Sequence, residues 1–125
     1  MQKQDKKIYQ DIILQAILEK KGENITILDF EGMENAPAEV FVLCDAKSST
    51  QLRAIASSIE EFVLQHLNDK AWHVEGLAEQ EWILMDYINI VVHVFIKSKR
   101  YYYNLEELWG DTKITHLEEH SALAN

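Results

Sequence analysis

The seven residues Ile90–Ile96 (IVVHVFI) are apolar at every position except His93. A half-buried strand alternates apolar and polar residues, whereas a strand apolar on both faces belongs in the centre of a sheet. Val40–Cys44, bounded by Glu39 and Asp45, is a second continuous apolar run and asks for the same burial. Between the two lies the strongest helical period of the chain. Leu52, Ile55, Ala56, Ile59, Phe62, Val63 and Leu67 recur at 3.6-residue spacing across residues 49–67. Ser48 with Gln51 three residues on fits a capping box, and Asn68-Asp69 ends the helix. A helical crossover plus hairpins implies a mixed sheet with helices packed against it.

The remaining elements follow from the same periods. Residues 5–21 place Ile8, Ile12, Ile13, Ala16 and Ile17 on one helical face, and Gly22 stops that helix. Residues 25–30 read as a strand, EGMENAPA as a loop, and Trp72–Glu75 and Trp82–Tyr87 as two further strands. The interval between Tyr87 and Ile90 is so short that the last two strands form a tight hairpin. Residues 98–109 read as one closing helix with Gly110 as its stop. The expected order is α-β-β-α-β-β-β-α around a mixed five-stranded sheet. Residues 1–111 form a single α/β domain, and 112–125 read as a loosely held polar tail.

Twelve basic and 21 acidic residues give a net charge of −9. Residues 25–96 alone carry twelve acids against Lys47, Arg53 and Lys70, so the acidity sits in the sheet-bearing part. Such a surface disfavours phosphate backbones and anionic membranes and suits a basic protein partner. The lone cysteine, Cys44, rules out an internal disulfide framework and a multi-cysteine zinc site, so a reducing, cytoplasmic setting is expected. The N-terminal MQKQDKKIYQ lacks the apolar stretch of a signal peptide, and no apolar run is long enough to span a membrane.

Chemistry-bearing patterns are sparse. The chain contains neither GxGxxG nor a Walker loop, and neither HExxH nor GxSxG. Asp29 and Asp86 fall near strand ends with Glu31 and Glu39 not far away, and converging carboxylates could hold a divalent metal for phosphoryl transfer. The plainer reading is solvated strand-end charge. His93 reads as a core histidine rather than a catalyst, Cys44 as a buried thiol, and Ser48, Ser49 and Thr50 as capping residues. Tyr101, Tyr102 and Tyr103 cannot all face inward on a helix, because neighbours are about 100° apart. Exposed aromatics beside acids suit a protein interface better than a nucleic-acid platform.

The segment EWILMDYINIVVHVF, followed by RYYYNLEELWGD, resembles the signature of the ribosomal silencing factors, the Iojap-like family. ITILDFEG, EVFVLCDAKSSTQLRAIASSIEEFV and the VEG at 74–76 match that family's other blocks in order, so the resemblance covers residues 8–111. It implies an α/β fold similar to nucleotidyltransferases, with no enzyme activity and no cofactor. It further implies binding to the large ribosomal subunit through the basic ribosomal protein L-fourteen. Bound there, such a protein blocks small-subunit joining and represses translation under nutrient limitation; the free protein is a dimer in several members.

The docking strand so implied contains Trp82, Asp86 and Tyr87, with Met85 as an apolar neighbour. Glu81, as an acid to pair with a basic partner, and Tyr102 complete the expected set; Glu31 and Glu79 are further acids of this kind. Leu105, Leu108 and Trp109 are expected to hold the last helix down. Ile88 and Asn89 stand where the family usually has Gly and an acid. If that turn needs φ > 0, β-branched Ile88 is costly there, so either the turn differs or Asn89 takes the left-handed position. The rival reading is a metal-dependent nucleotidyl- or phosphotransferase using Asp29 and Asp86. The missing Gly-Ser loop and missing Asp-x-Asp count against it.

Overall fold

A computed structural model describes residues 3–117. Its elements are α1 (Lys3–Glu19), β1 (Glu23–Asp29), β2 (Val40–Ala46), α2 (Ser49–Leu67), β3 (His73–Glu75), β4 (Trp82–Asp86), β5 (Ile90–Ile96), α3 (Lys97–Tyr103), α4 (Leu105–Leu108) and β6 (Lys113–His116). The sheet runs β3-β4-β5-β2-β1-β6. Only β2 and β5 pair in parallel; the other neighbours are antiparallel. The two all-apolar runs are thus the two central strands, and α2 begins the crossover between them. Apolar residues dominate both because each strand is buried on two faces.

The two faces are covered differently. On one side α1 and α2 pack side by side over Ile25, Ile27, Val42, Cys44, Ile83, Met85, Val92 and Val94. Ser58 Oγ donates to the Ala16 carbonyl at 2.9 Å, which fixes the contact between the helices. On the other side a smaller cluster of Leu28, Phe30, Phe41, Leu43, Val91 and Phe95 is covered only by the short α3 and α4 and the loop after β1.

The capping box at α2 is half formed. Ser48 Oγ accepts from the Gln51 amide at 3.1 Å as expected. Gln51 Oε1 instead accepts from the Lys47 amide at 2.7 Å, and its Nε2 donates to the Lys20 and Lys21 carbonyls at 3.0 Å each. The side chain therefore stitches the start of α2 to the end of α1. Asn68 ends α2 in the left-handed region (φ 50°).

Three expectations are corrected. The sheet has six strands, because Lys113–His116, expected within a loose tail, pairs antiparallel with β1. Among these four residues only Ile114 is apolar, so no alternating signal marks them; polar composition is usual for an edge strand. Residues 118–125 lie outside the described residues. The single closing helix is broken at Asn104 (φ 41°) into α3 and α4. In one unbroken helix Tyr103 and Leu105 would point about 200° apart; the break lets both pack on the sheet. At the β4–β5 hairpin it is Ile88, not Asn89, that takes positive φ (72°). The Asn89 amide donates to the Tyr87 carbonyl at 2.9 Å, closing a three-residue turn around Ile88.

Candidate functional site

β4 alternates strictly, so its odd and even residues meet different surroundings. Ile83 and Met85 face the long helices, and Tyr87 continues that side; Met85 is 0% exposed and Tyr87 5%. Both were expected at a docking surface, and both are instead core. Trp82, Leu84 and Asp86 face the side the long helices leave open, and all three are half-buried.

There the Trp82 ring stacks on Phe95 at 5.2 Å and meets Tyr103 at 4.6 Å. Tyr102, 80% exposed, stands edge-on to Tyr103 at 5.2 Å. Glu81 receives the Tyr103 hydroxyl at 3.4 Å and sits 3.8 Å from Lys99 Nζ. Glu81, Trp82, Tyr102 and Tyr103 thus form one cluster. Asp86 shares their side of the sheet at the far end of β4, about 14 Å along the strand. Its Oδ1 accepts from the Ile88 amide at 2.7 Å, which braces the strained turn. Exposed Glu75 and Glu79 add to the acidic rim.

Beneath the cluster lies His93, 3% exposed. Trp82 Nε1 can only donate, and it does so to His93 Nδ1 at 3.1 Å. The other ring nitrogen, Nε2, therefore carries the proton, and it has no partner among the described residues. Burial pushes the His93 pKa down to about 3, so the ring is neutral at physiological pH. It acts as a spacer that orients Trp82, with Phe41 edge-on at 4.4 Å.

The cover on this side is held by a buried charge network. Arg100 Nη1 donates to Asp45 Oδ1 at 2.9 Å, and Nη2 donates to Thr26 Oγ1 at 2.6 Å and Glu106 Oε2 at 3.1 Å. Its remaining contact is the Asn24 carbonyl, presented by the irregularity in β1 where Asn24 has φ 51°. Burial lowers the Arg100 pKa, but the bond and charge of Asp45, and then Glu106, outweigh it and raise the value overall. The network pins α3 and α4, and with them Tyr103 and Trp109, over the sheet.

The carboxylates of the rival reading do not converge. Asp29 ends β1 and Asp86 ends β4, with β2 and β5 between them. Asp29 is engaged by the Glu31 amide at 2.9 Å and by Lys6 at 4.0 Å. Among the described residues no group of three His, Cys, Asp or Glu side chains is placed to hold a metal. Cys44 is buried, and burial pushes its thiol pKa up. Sequence reasoning passed over Leu84, although it lies two residues from both Trp82 and Asp86 and the alternation places it with them. It also passed over the partners of Arg100, which come from three separate elements, β1, β2 and α4.

The fold and this face define a mixed α/β domain with one sheet side armoured by helices and the other left aromatic, acidic and accessible. The family described as "Ribosomal silencing factor during starvation" matches residues 3–125. The chain is 36% identical over 107 residues to ribosomal silencing factor RsfS of Halalkalibacterium halodurans, covering 86% of this chain and 90% of that one. It is 39% identical over 100 residues to the protein of the same name in Bacillus subtilis, covering 80% and 83%. A chloroplastic Iojap protein of maize is 31% identical over 71 residues, covering 57% of this chain and 30% of that one. A crystal structure from Bacillus halodurans superposes with a TM-score of 0.71 at 31% identity, covering 87% and 95% of the two chains. An X-ray structure from Chromobacterium violaceum does so at 0.77 and 27% identity, covering 94% of each. The chain belongs to the ribosomal silencing factor family.

Proposed function

We propose that this protein binds the large ribosomal subunit through ribosomal protein L-fourteen and, once there, sterically blocks joining of the small subunit. Translation is thereby repressed when nutrients are scarce. One observation carries the choice of surface: the half-buried strip of Trp82, Leu84 and Tyr103 lies on the sheet side that neither long helix covers, with Glu81 and Asp86 at its ends. A partly buried tryptophan between polar neighbours has the character of an interface anchor, while rim carboxylates mostly speed encounter with a basic partner. The docking set is then Glu81, Trp82, Leu84, Asp86, Tyr102 and Tyr103. Met85 and Tyr87 support it from inside the fold.

The role is regulatory and needs neither cofactor nor metal, and its setting is the cytoplasm. No helix among the described residues is long and apolar enough to cross a membrane. The likeness of the fold to nucleotidyltransferases belongs to the same proposal and contributes no chemistry. We also propose that the free protein pairs with a second copy through the same exposed aromatics, so that dimer and ribosome complex compete.

The test is sedimentation with purified large subunits through a density gradient. Co-migration is expected at low salt and weakens as salt rises. Trp82→Ala, shown to be folded by circular dichroism, is expected to lose at least about 30-fold in affinity, the scale of an anchor worth ~2 kcal/mol. Failure of the parent protein to co-migrate at low salt refutes docking. Full binding by the folded variant refutes the surface.

A further inference from the structure

The β4–β5 hairpin holds a strain that packing within the protein does not offset. Ile88 sits at φ 72°, where a β-branched residue is an outlier. Residues stay in such conformations only when their surroundings fix them, and they gather at functional sites. Here the turn is fixed on both sides. Asp86 Oδ1 accepts from the Ile88 amide at 2.7 Å, and the Tyr87 amide donates to the Ile90 carbonyl at 2.9 Å. The Asn89 carbonyl accepts from the Glu39 and Val40 amides at 2.9 and 3.1 Å. Yet Ile88 is 61% exposed, so its side chain gains little burial in return. A glycine would make the same turn without strain and without an exposed apolar group.

Ile88 does not stand alone. The Trp72 amide donates to the Asp86 carbonyl at 2.7 Å, so Trp72, 77% exposed, borders the same residue. Asp86 therefore holds an exposed isoleucine through its carboxylate and an exposed tryptophan through its backbone. Among the described residues Asp86 makes no ion pair, and its second oxygen, Oδ2, accepts no hydrogen bond. Beyond Ile88, Asn89 lines a hollow of about 380 Å³ with Asp5, Tyr9, Leu67 and exposed Ile8. Apolar surface thus continues from Trp82 and Leu84 past Asp86 and over the hairpin tip.

We propose that Ile88 is a preformed anchor of the docking surface, with Trp72 as its neighbour. The occupant is the basic partner protein: its apolar side chains cover Ile88 and Trp72, and one of its lysine or arginine heads donates to Asp86 Oδ2. The proposal rests on the docking reading above and extends that surface around the end of the sheet. Charge selects the occupant. Asp86 between the two apolar side chains, and Asp5 in the hollow, favour a basic protein and disfavour anionic lipid, phosphate or a second acidic copy of this chain. Rigidity suits the role, because a side chain whose backbone is already fixed loses less freedom when it is bound. A strained residue at such a site exchanges stability for binding, and the two can be measured separately.

The test reads Tm and affinity for purified large subunits on the same full-length variants. Ile88→Gly removes the strain and the side chain together. Its Tm is expected to rise by about 2–4 °C while its affinity falls about tenfold. Ile88→Asn tolerates the left-handed region but is polar, so it is expected to keep at least the parent Tm and to lose affinity to a similar extent. Trp72→Ala is expected to weaken binding about tenfold with Tm little changed. A purely structural residue would move stability and binding in the same direction. Full binding by both Ile88 variants overturns the proposal and leaves docking through Trp82 standing. A fall in Tm alongside affinity in both Ile88 variants overturns it as well. So does loss of self-association alone, read by light scattering, with subunit binding intact, since that assigns the patch to a second copy. Failure of the parent protein to co-migrate at low salt removes the docking reading and the anchor with it.

Discussion

Replacing Arg100 with Met tests whether the aromatic face depends on the charge network beneath it. The Arg100 and Asp45 side chains are 6% and 5% exposed and meet at 2.9 Å. Without the guanidinium, Asp45 keeps only Asn24 Nδ2, at 2.7 Å, as a side-chain donor. Removing one partner of a buried ion pair costs about 3–5 kcal/mol, mostly because the other charge stays behind. With ~2.1 cal/mol/K of melting entropy per residue, a chain of this size loses about 4 °C of Tm per kcal/mol, so a fall of roughly 10–20 °C is expected. Thermal and urea unfolding followed by circular dichroism measure it. The double variant Arg100→Met/Asp45→Leu removes both charges and is expected to recover most of the loss, since well-packed apolar replacements of buried pairs are near neutral. Two results refute the reasoning: a single-variant loss below about 1 kcal/mol, or a double variant no more stable than the single. Because α3 and α4 hang on this network, Arg100→Met is also expected to weaken ribosome binding without touching the docking set.

Further consequences can be measured on the same protein. A Cβ at Gly76, whose φ is 92°, would lie 1.8 Å from the Trp82 carbonyl oxygen, so Gly76→Ala is expected to cost more than about 3 kcal/mol and to free the β3–β4 edge, read by chemical denaturation and by amide exchange of β3. Asn104 bridges α3 and α4 in the left-handed region and its side chain accepts from the Glu107 amide; Asn104→Ala is expected to lose about 1–2 kcal/mol and Asn104→Gly clearly less, in the same unfolding assay. His93 binds its proton far more weakly when folded, at about 3, than when unfolded, at about 6.5. The unfolded state therefore holds more protons in that window, and stability is lost as pH falls from about 6.5 towards 3, at up to ~1.4 kcal/mol per pH unit. His93→Asn, which keeps an acceptor for Trp82 and does not titrate, is expected to flatten that limb; an unchanged slope would show that His93 is not its source.

The long-period signals told the truth about this chain. Two runs apolar on both faces became the two central strands, and a 19-residue amphipathic helix began and ended where its cap and its Asn68 placed it. These properties are local, since burial on two faces and helical spacing are written in consecutive residues. The family was equally legible, because its motifs are short blocks in fixed order. What needed tertiary structure was everything set by a partner distant in sequence. Lys113–His116 is a strand only because β1 offers it hydrogen bonds, and the helix breaks at Asn104 because both Tyr103 and Leu105 have sheet to cover.

The sequence alone therefore determined the class of fold, its two interior strands and its kinship. Tertiary structure decided which side of β4 faces the world. The strand's period of two sends Trp82, Leu84 and Asp86 one way and Met85 and Tyr87 the other. Which of the two sets becomes core depends on where α1 and α2 pack, and no stretch of residues 81–87 encodes that.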